Sequence, residues 1–128
     1  MRYLIFMIFL ITSGSSQADE LCFTLDGAKI IAQDDKNTYL GTIKNSYSSD
    51  SIFNEYGTYG SEYSSNSIWN EYGTFGSEYS SYSPFSEYSS TPPMIIKGGN
   101  IIGYLSANKF QSPSISPNLL KALCEDEL

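Results

Sequence analysis

Apolar residues gather in short blocks towards the two ends of the chain, and between them stand singly, at regular intervals, in a polar background. Phe23 to Ile31 and Thr38 to Ile43 flank Asp34-Asp35-Lys36-Asn37, which reads as strand, polar turn and strand, a hairpin over 23–43. Met94 to Ile96 and Ile101 to Leu105 repeat that form around Gly98-Gly99, a pair that permits the positive φ of a tight hairpin over 94–105. The second strands match in detail. Gly41-Thr42-Ile43 followed by Asn45-Ser46-Tyr47 resembles Gly103-Tyr104-Leu105 followed by Asn108-Lys109-Phe110. Near the end, Ser116-Pro117-Asn118 opens a short helix over 116–126 that carries Leu119, Leu120 and Leu123.

The regular interval is 16 residues. SIFNEYGTYGSEYSSN, Ser51 to Asn66, is followed directly by SIWNEYGTFGSEYSSY, Ser67 to Tyr82; thirteen of the sixteen positions are identical. A degenerate third copy begins Ser83-Pro84-Phe85, so the repeat region covers 51–90. Serine as N-cap, an apolar pair, Asn-Glu and then Tyr-Gly reads as one helical turn closed by glycine, and Pro84 suits a first helical position. On such a turn Ile52, Phe53 and Tyr56 face inward and Asn54 points away. A β-solenoid rung is the rival reading, although two full copies are few for a solenoid. The expected fold is therefore mainly β, a small α+β domain. Two β-hairpins bracket looped 16-residue units with single helical turns, and a short C-terminal helix completes the chain.

Eight apolar residues, Leu4 to Ile11, follow Met1-Arg2-Tyr3 and lead to Ser16-Gln17-Ala18. A cationic start, an apolar stretch too short to span a bilayer and a small-x-small site predict a signal peptide, 1–18, cleaved after Ala18. Residues 19–128 then form a single domain that is secreted or periplasmic. Cys22 and Cys124, the only cysteines, are expected to form a disulfide there. The final Glu125-Asp126-Glu127-Leu128 lacks the Lys or His that opens an endoplasmic-reticulum retrieval signal.

Charge narrows the partners. The chain has 14 acidic and 7 basic residues, and no Lys or Arg stands between Lys44 and Lys97. Such a balance argues against nucleic acid and against anionic membrane surfaces, since both need a basic footprint. The absence of histidine removes Ser-His and Cys-His nucleophiles and the common zinc sites.

Carboxylates, amides and aromatics remain. Eight of the eleven tyrosines lie between Tyr47 and Tyr88. A tyrosine ring offers a flat apolar face with a polar tip, suited to stacking on a sugar or to burial at an interface. Tyr59, Tyr63, Tyr79 and Tyr82, with Asn54 and Asn70, are the candidate binding residues, because packing gives no reason for those polar choices. The preferred function is a non-enzymatic binding or structural module that engages polysaccharide or another envelope protein. No cofactor is expected in that reading. An alternative is a structural module stabilised by Ca²⁺ through Glu55, Glu62, Glu71 and Glu78 with the repeat asparagines. A carboxylate-dependent hydrolase is a third reading, weakened because a catalytic pair needs two unlike environments and the repeats supply near-identical ones.

The string Ser-Ile-aromatic-Asn-x-Tyr-Gly-x-aromatic-Gly-Ser, with Pro92-Pro93 before the second hairpin and Asn108-Lys109-Phe110 after it, resembles a group of small exported bacterial proteins. The resemblance spans about Tyr39 to Phe110. It implies the compartment and the domain limits, and no activity.

Overall fold

A computed structural model describes residues 17–128; the leader assigned to 1–18 lies, but for its last two residues, outside the described part. The fold is small and mainly β, with five strands in one mixed sheet and two helices among the described residues. Helix α1 occupies residues 17–25. Cys22 and Leu25, three apart, are buried on it while Leu21 and Phe23 are exposed, a helical spacing where the sequence reading placed the start of a strand. The chain turns at Asp26-Gly27, where Gly27 has φ +86°, and β1 is confined to Lys29–Ile31.

Both expected hairpins are present and share the sheet. Strands β1 and β2 (Tyr39–Thr42) form the first, and β3 (Met94–Lys97) with β4 (Asn100–Leu105) the second. They join through their first strands, with Ile30 opposite Ile95 in antiparallel register. A short strand β5 (Ser114–Ile115) runs parallel to β4, giving the order β2-β1-β3-β4-β5. Helix α2 spans Pro117–Cys124; the Ser116 hydroxyl caps it by accepting from the Leu119 amide at 3.2 Å. The disulfide between Cys22 and Cys124 ties α1 to α2 across 102 positions of sequence.

The repeats form neither isolated helical turns nor strands. They are a continuous run of turns, each beginning where the last one ends. The Asn54 amide donates to Ser51 O, Gly57 to Asn54 O, Ser61 to Gly57 O, Ser64 to Ser61 O and Ser67 to Ser64 O, at 2.9 to 3.4 Å. From Ser67 the series begins again with the same residue types. At each serine or asparagine vertex the side chain also accepts from the amide two residues on: Phe53 N to Ser51 Oγ, Tyr56 N to Asn54 Oδ1, Tyr63 N to Ser61 Oγ. A side chain holding the second amide and a carbonyl holding the third favour a turn over an α-helix, because the i to i+4 ladder never starts. That competition is why the expected helical turn is not found.

Changing direction every three residues also changes which groups face inward. Ile52 and Ile68 are buried and Phe53 nearly so, but Tyr56 is exposed, contrary to the helical expectation. Ile52 and Ile68 join Ile30, Leu40, Ile95, Leu105 and Leu120 in one core, with Trp69 and Phe75 packed against it. Both ends of the turn run are closed by the rest of the domain. At the start, Ile52 N donates to Thr42 O and Thr42 N to Asp50 O, joining the first unit to β2. At the end, Ala107 N donates to Pro84 O and Asn108 Nδ2 to Ser89 O at 2.8 Å. Capping of this kind is what lets a short repeat array stand.

Gly60 and Gly76 lie where the chain folds back on itself. A Cβ at Gly60 would overlap the Asn54 carbonyl, and one at Gly76 the Asn70 carbonyl. Since backbone cannot move aside as a side chain does, Gly60→Ala and Gly76→Ala are each expected to cost at least about 3 kcal/mol in urea unfolding. Gly98→Ala meets open space at φ +61° and should cost only about 1 kcal/mol. Replacing both cysteines by serine should lower stability by about 4 to 5 kcal/mol on the loop-entropy account, read in the same experiment.

Candidate functional site

The real sequence unit is a triplet: Ser or Asn, any residue, then an aromatic. It recurs as Ser51-Ile52-Phe53, Asn54-Glu55-Tyr56, Ser61-Glu62-Tyr63, Ser67-Ile68-Trp69, Asn70-Glu71-Tyr72, Ser77-Glu78-Tyr79 and Ser83-Pro84-Phe85. Its middle residue foretells the direction of the aromatic. After Ile or Pro the ring turns inward, as in Phe53, Trp69 and Phe85; after Glu it stands in solvent.

Two exposed columns result, each with a 16-residue period. One is Tyr47, Tyr63 and Tyr79; the other is Tyr56, Tyr72 and Tyr88. All six rings are between 85 and 94% exposed. Every one but Tyr47 directly follows a glutamate. The stacking of the units is seen in the layer beneath. Trp69 and Phe85, one repeat apart, meet edge to face with centroids separated by 5.9 Å, and Trp69 Nε1 donates to Ile52 O at 2.6 Å.

Of the residues singled out from the sequence, Tyr63 and Tyr79 belong to these columns. Tyr59 does not: half-buried, it packs edge-on against Tyr39, with centroids 4.9 Å apart. Tyr82 is half-buried as well. Asn54 and Asn70 are structural. Asn54 Nδ2 donates to Ser48 O and Asn70 Nδ2 to Ser64 O, both at 3.1 Å, while each Oδ1 accepts from the amide two residues on. Far from pointing away, each asparagine staples its turn to an earlier one. Sequence reading missed Tyr47, Tyr56, Tyr72 and Tyr88, although the triplet and its glutamate mark all but the first.

Glu55, Glu62, Glu71 and Glu78 are exposed, one before each of four exposed tyrosines. Solvation keeps their mutual repulsion small, below about 1 kcal/mol for a pair some 5 Å apart in water. Among the described residues no three His, Cys, Asp or Glu side chains come together as a metal site would require.

Three clefts open along this face. One, of about 360 Å³, is lined by Glu62, Tyr63, Trp69, Asn70, Glu71 and Tyr72. A second, of about 820 Å³, is lined by Glu71, Tyr72, Glu78, Tyr79, Phe85 and Glu87. The third, of about 500 Å³, sets Tyr47 against Glu55-Tyr56 and is bordered by α2. In that one Lys121 Nζ sits 4.8 Å from the centre of the Trp69 ring and 3.6 Å from Glu125. Aromatic faces and carboxylates thus alternate along a surface that can stack on a flat ligand and accept hydrogen bonds from its hydroxyl or amino groups.

Hydrogen bonding to Glu62, Glu71 and Glu78 raises the pKa of Tyr63, Tyr72 and Tyr79, each above its ordinary value of 10.0, and the carboxylate charge adds to the effect. An acceptor that favours the protonated phenol delays its ionisation. Changing Glu62, Glu71 and Glu78 to Gln should therefore move part of the tyrosinate absorbance to lower pH. An unchanged titration curve would show that these pairs do not form in solution.

No family model, no curated protein and no solved structure compared with this chain matches it.

Proposed function

We propose that the chain acts, once exported, as a non-enzymatic binding module that holds an extended glycan of the envelope or extracellular matrix along its two tyrosine columns. One observation carries the reading. The same triplet that buries Phe53 and turns the half-buried Trp69 and Phe85 inward leaves Tyr47, Tyr56, Tyr63, Tyr72, Tyr79 and Tyr88 in water, so the core has no need of those six aromatics. Aromatic rings repeated in register on a rigid scaffold favour a long ligand of repeated units over a compact one, because every ring added meets a further ligand unit already tethered nearby. The disulfide suits an oxidising compartment, and among the described residues no helix is long and apolar enough to cross a membrane.

The paired changes Tyr63→Ala with Tyr79→Ala, and Tyr56→Ala with Tyr72→Ala, should abolish retention on a glycan array. As surface changes they should shift stability by no more than about 0.5 kcal/mol. Retention that survives both pairs would sink the proposal. Adding Ca²⁺ or EDTA should leave both retention and melting temperature unaltered; a Ca²⁺-dependent rise in either would favour the glutamates as a cation site instead.

A further inference from the structure

The columns are as acidic as they are aromatic. Five of the six exposed tyrosines follow a glutamate, and the two clefts bordered by Tyr72 have no Lys or Arg among their lining residues. A neutral sugar needs the rings but gives no reason for so many uncompensated carboxylates beside them. The cleft beside α2 holds a cation of its own. Lys121 Nζ lies over Trp69 and beside Glu125, a pairing of ammonium with aromatic face and carboxylate that is favourable on both counts. The other two clefts, which share Trp69 with it, offer further Tyr and Glu side chains and have no Lys or Arg among their lining residues.

We infer that the glycan bound by this face is cationic, a chain of amino sugars whose free amines sit between Glu62, Glu71, Glu78 and Glu87 while its rings stack on Tyr63, Tyr72 and Tyr79. The inference rests on the glycan reading above and names its substrate class. Charge complementarity of this kind governs specificity and the rate of encounter, and weakens with salt.

The test compares three probes on the full exported chain in mildly acidic buffer, where amines are protonated and glutamates ionised: a β-1,4-linked glucosamine oligomer, its fully N-acetylated counterpart, and oligolysine. The glucosamine oligomer should bind at least about tenfold more tightly than the acetylated one, with affinity falling as salt rises. Changing Glu62, Glu71, Glu78 and Glu87 to Gln should remove that preference while circular dichroism stays unchanged. Equal binding of the two sugars overturns the inference and leaves the glycan reading standing. Binding of neither sugar overturns both. Oligolysine binding as tightly as the glucosamine oligomer overturns the sugar assignment in favour of a basic polypeptide.

Discussion

A serine or asparagine side chain that accepts the amide two residues ahead, while its own carbonyl accepts the amide three ahead, is the interaction on which this structure depends. Each instance contributes on the order of 1 kcal/mol. Their effect is geometric before it is energetic. By fixing a turn every third residue they convert a stretch with no strand and no helix into a rigid ladder. Gly57 and Gly73 open the one turn of four residues in each unit, and Gly60 and Gly76 let the chain pass against Asn54 and Asn70 without a clash. The asparagines then reach back six positions, to Ser48 and Ser64, and lock each unit to the segment before it.

Such a ladder needs closed ends, because an unpaired terminal unit would expose Ile and aromatic side chains together with free backbone groups. Here the two hairpins supply them. Strand β2 takes the first unit through Thr42, and the segment after β4 takes the last through Ala107 and Asn108. Asn108 itself repeats the vertex chemistry of Asn45: each Oδ1 accepts from the amide two residues on, at Phe110 and Tyr47. The likeness between the second strands of the two hairpins, which extends into the segments after them, therefore has a structural counterpart, with each hairpin leading into a capped turn. The disulfide and α2 complete the frame, and Lys121 brings α2 onto Trp69.

With the scaffold fixed in this way, the outward positions are free to carry other chemistry. Where glutamate precedes tyrosine the ring stands out of the core, and at Tyr63, Tyr72 and Tyr79 the carboxylate gives the phenol an acceptor. Isoleucine or proline in the same place takes the ring inward. One substitution class within a triplet thus separates the aromatics that pack inward from those that stand in solvent.

The sequence by itself determined the 16-residue period, both hairpins, the capped C-terminal helix and the pairing of the two cysteines, since each rests on local spacing or on elimination. The three-residue spacing of Ser and Asn was also there to be read, and steps of three, broken once per unit by a step of four at Gly57 or Gly73, argue against the 3.6 of an α-helix. Only the tertiary structure decided that Tyr47 stands in solvent while Tyr59 and Tyr82 are half-buried, because no glutamate marks those three, and that Asn54 and Asn70 are staples, because their partners lie outside the triplet. It likewise decided that residues 23–25 belong to a helix and that the hairpins join through β1 and β3. Those outcomes depend on burial against a core assembled from distant parts of the chain, which no local window contains.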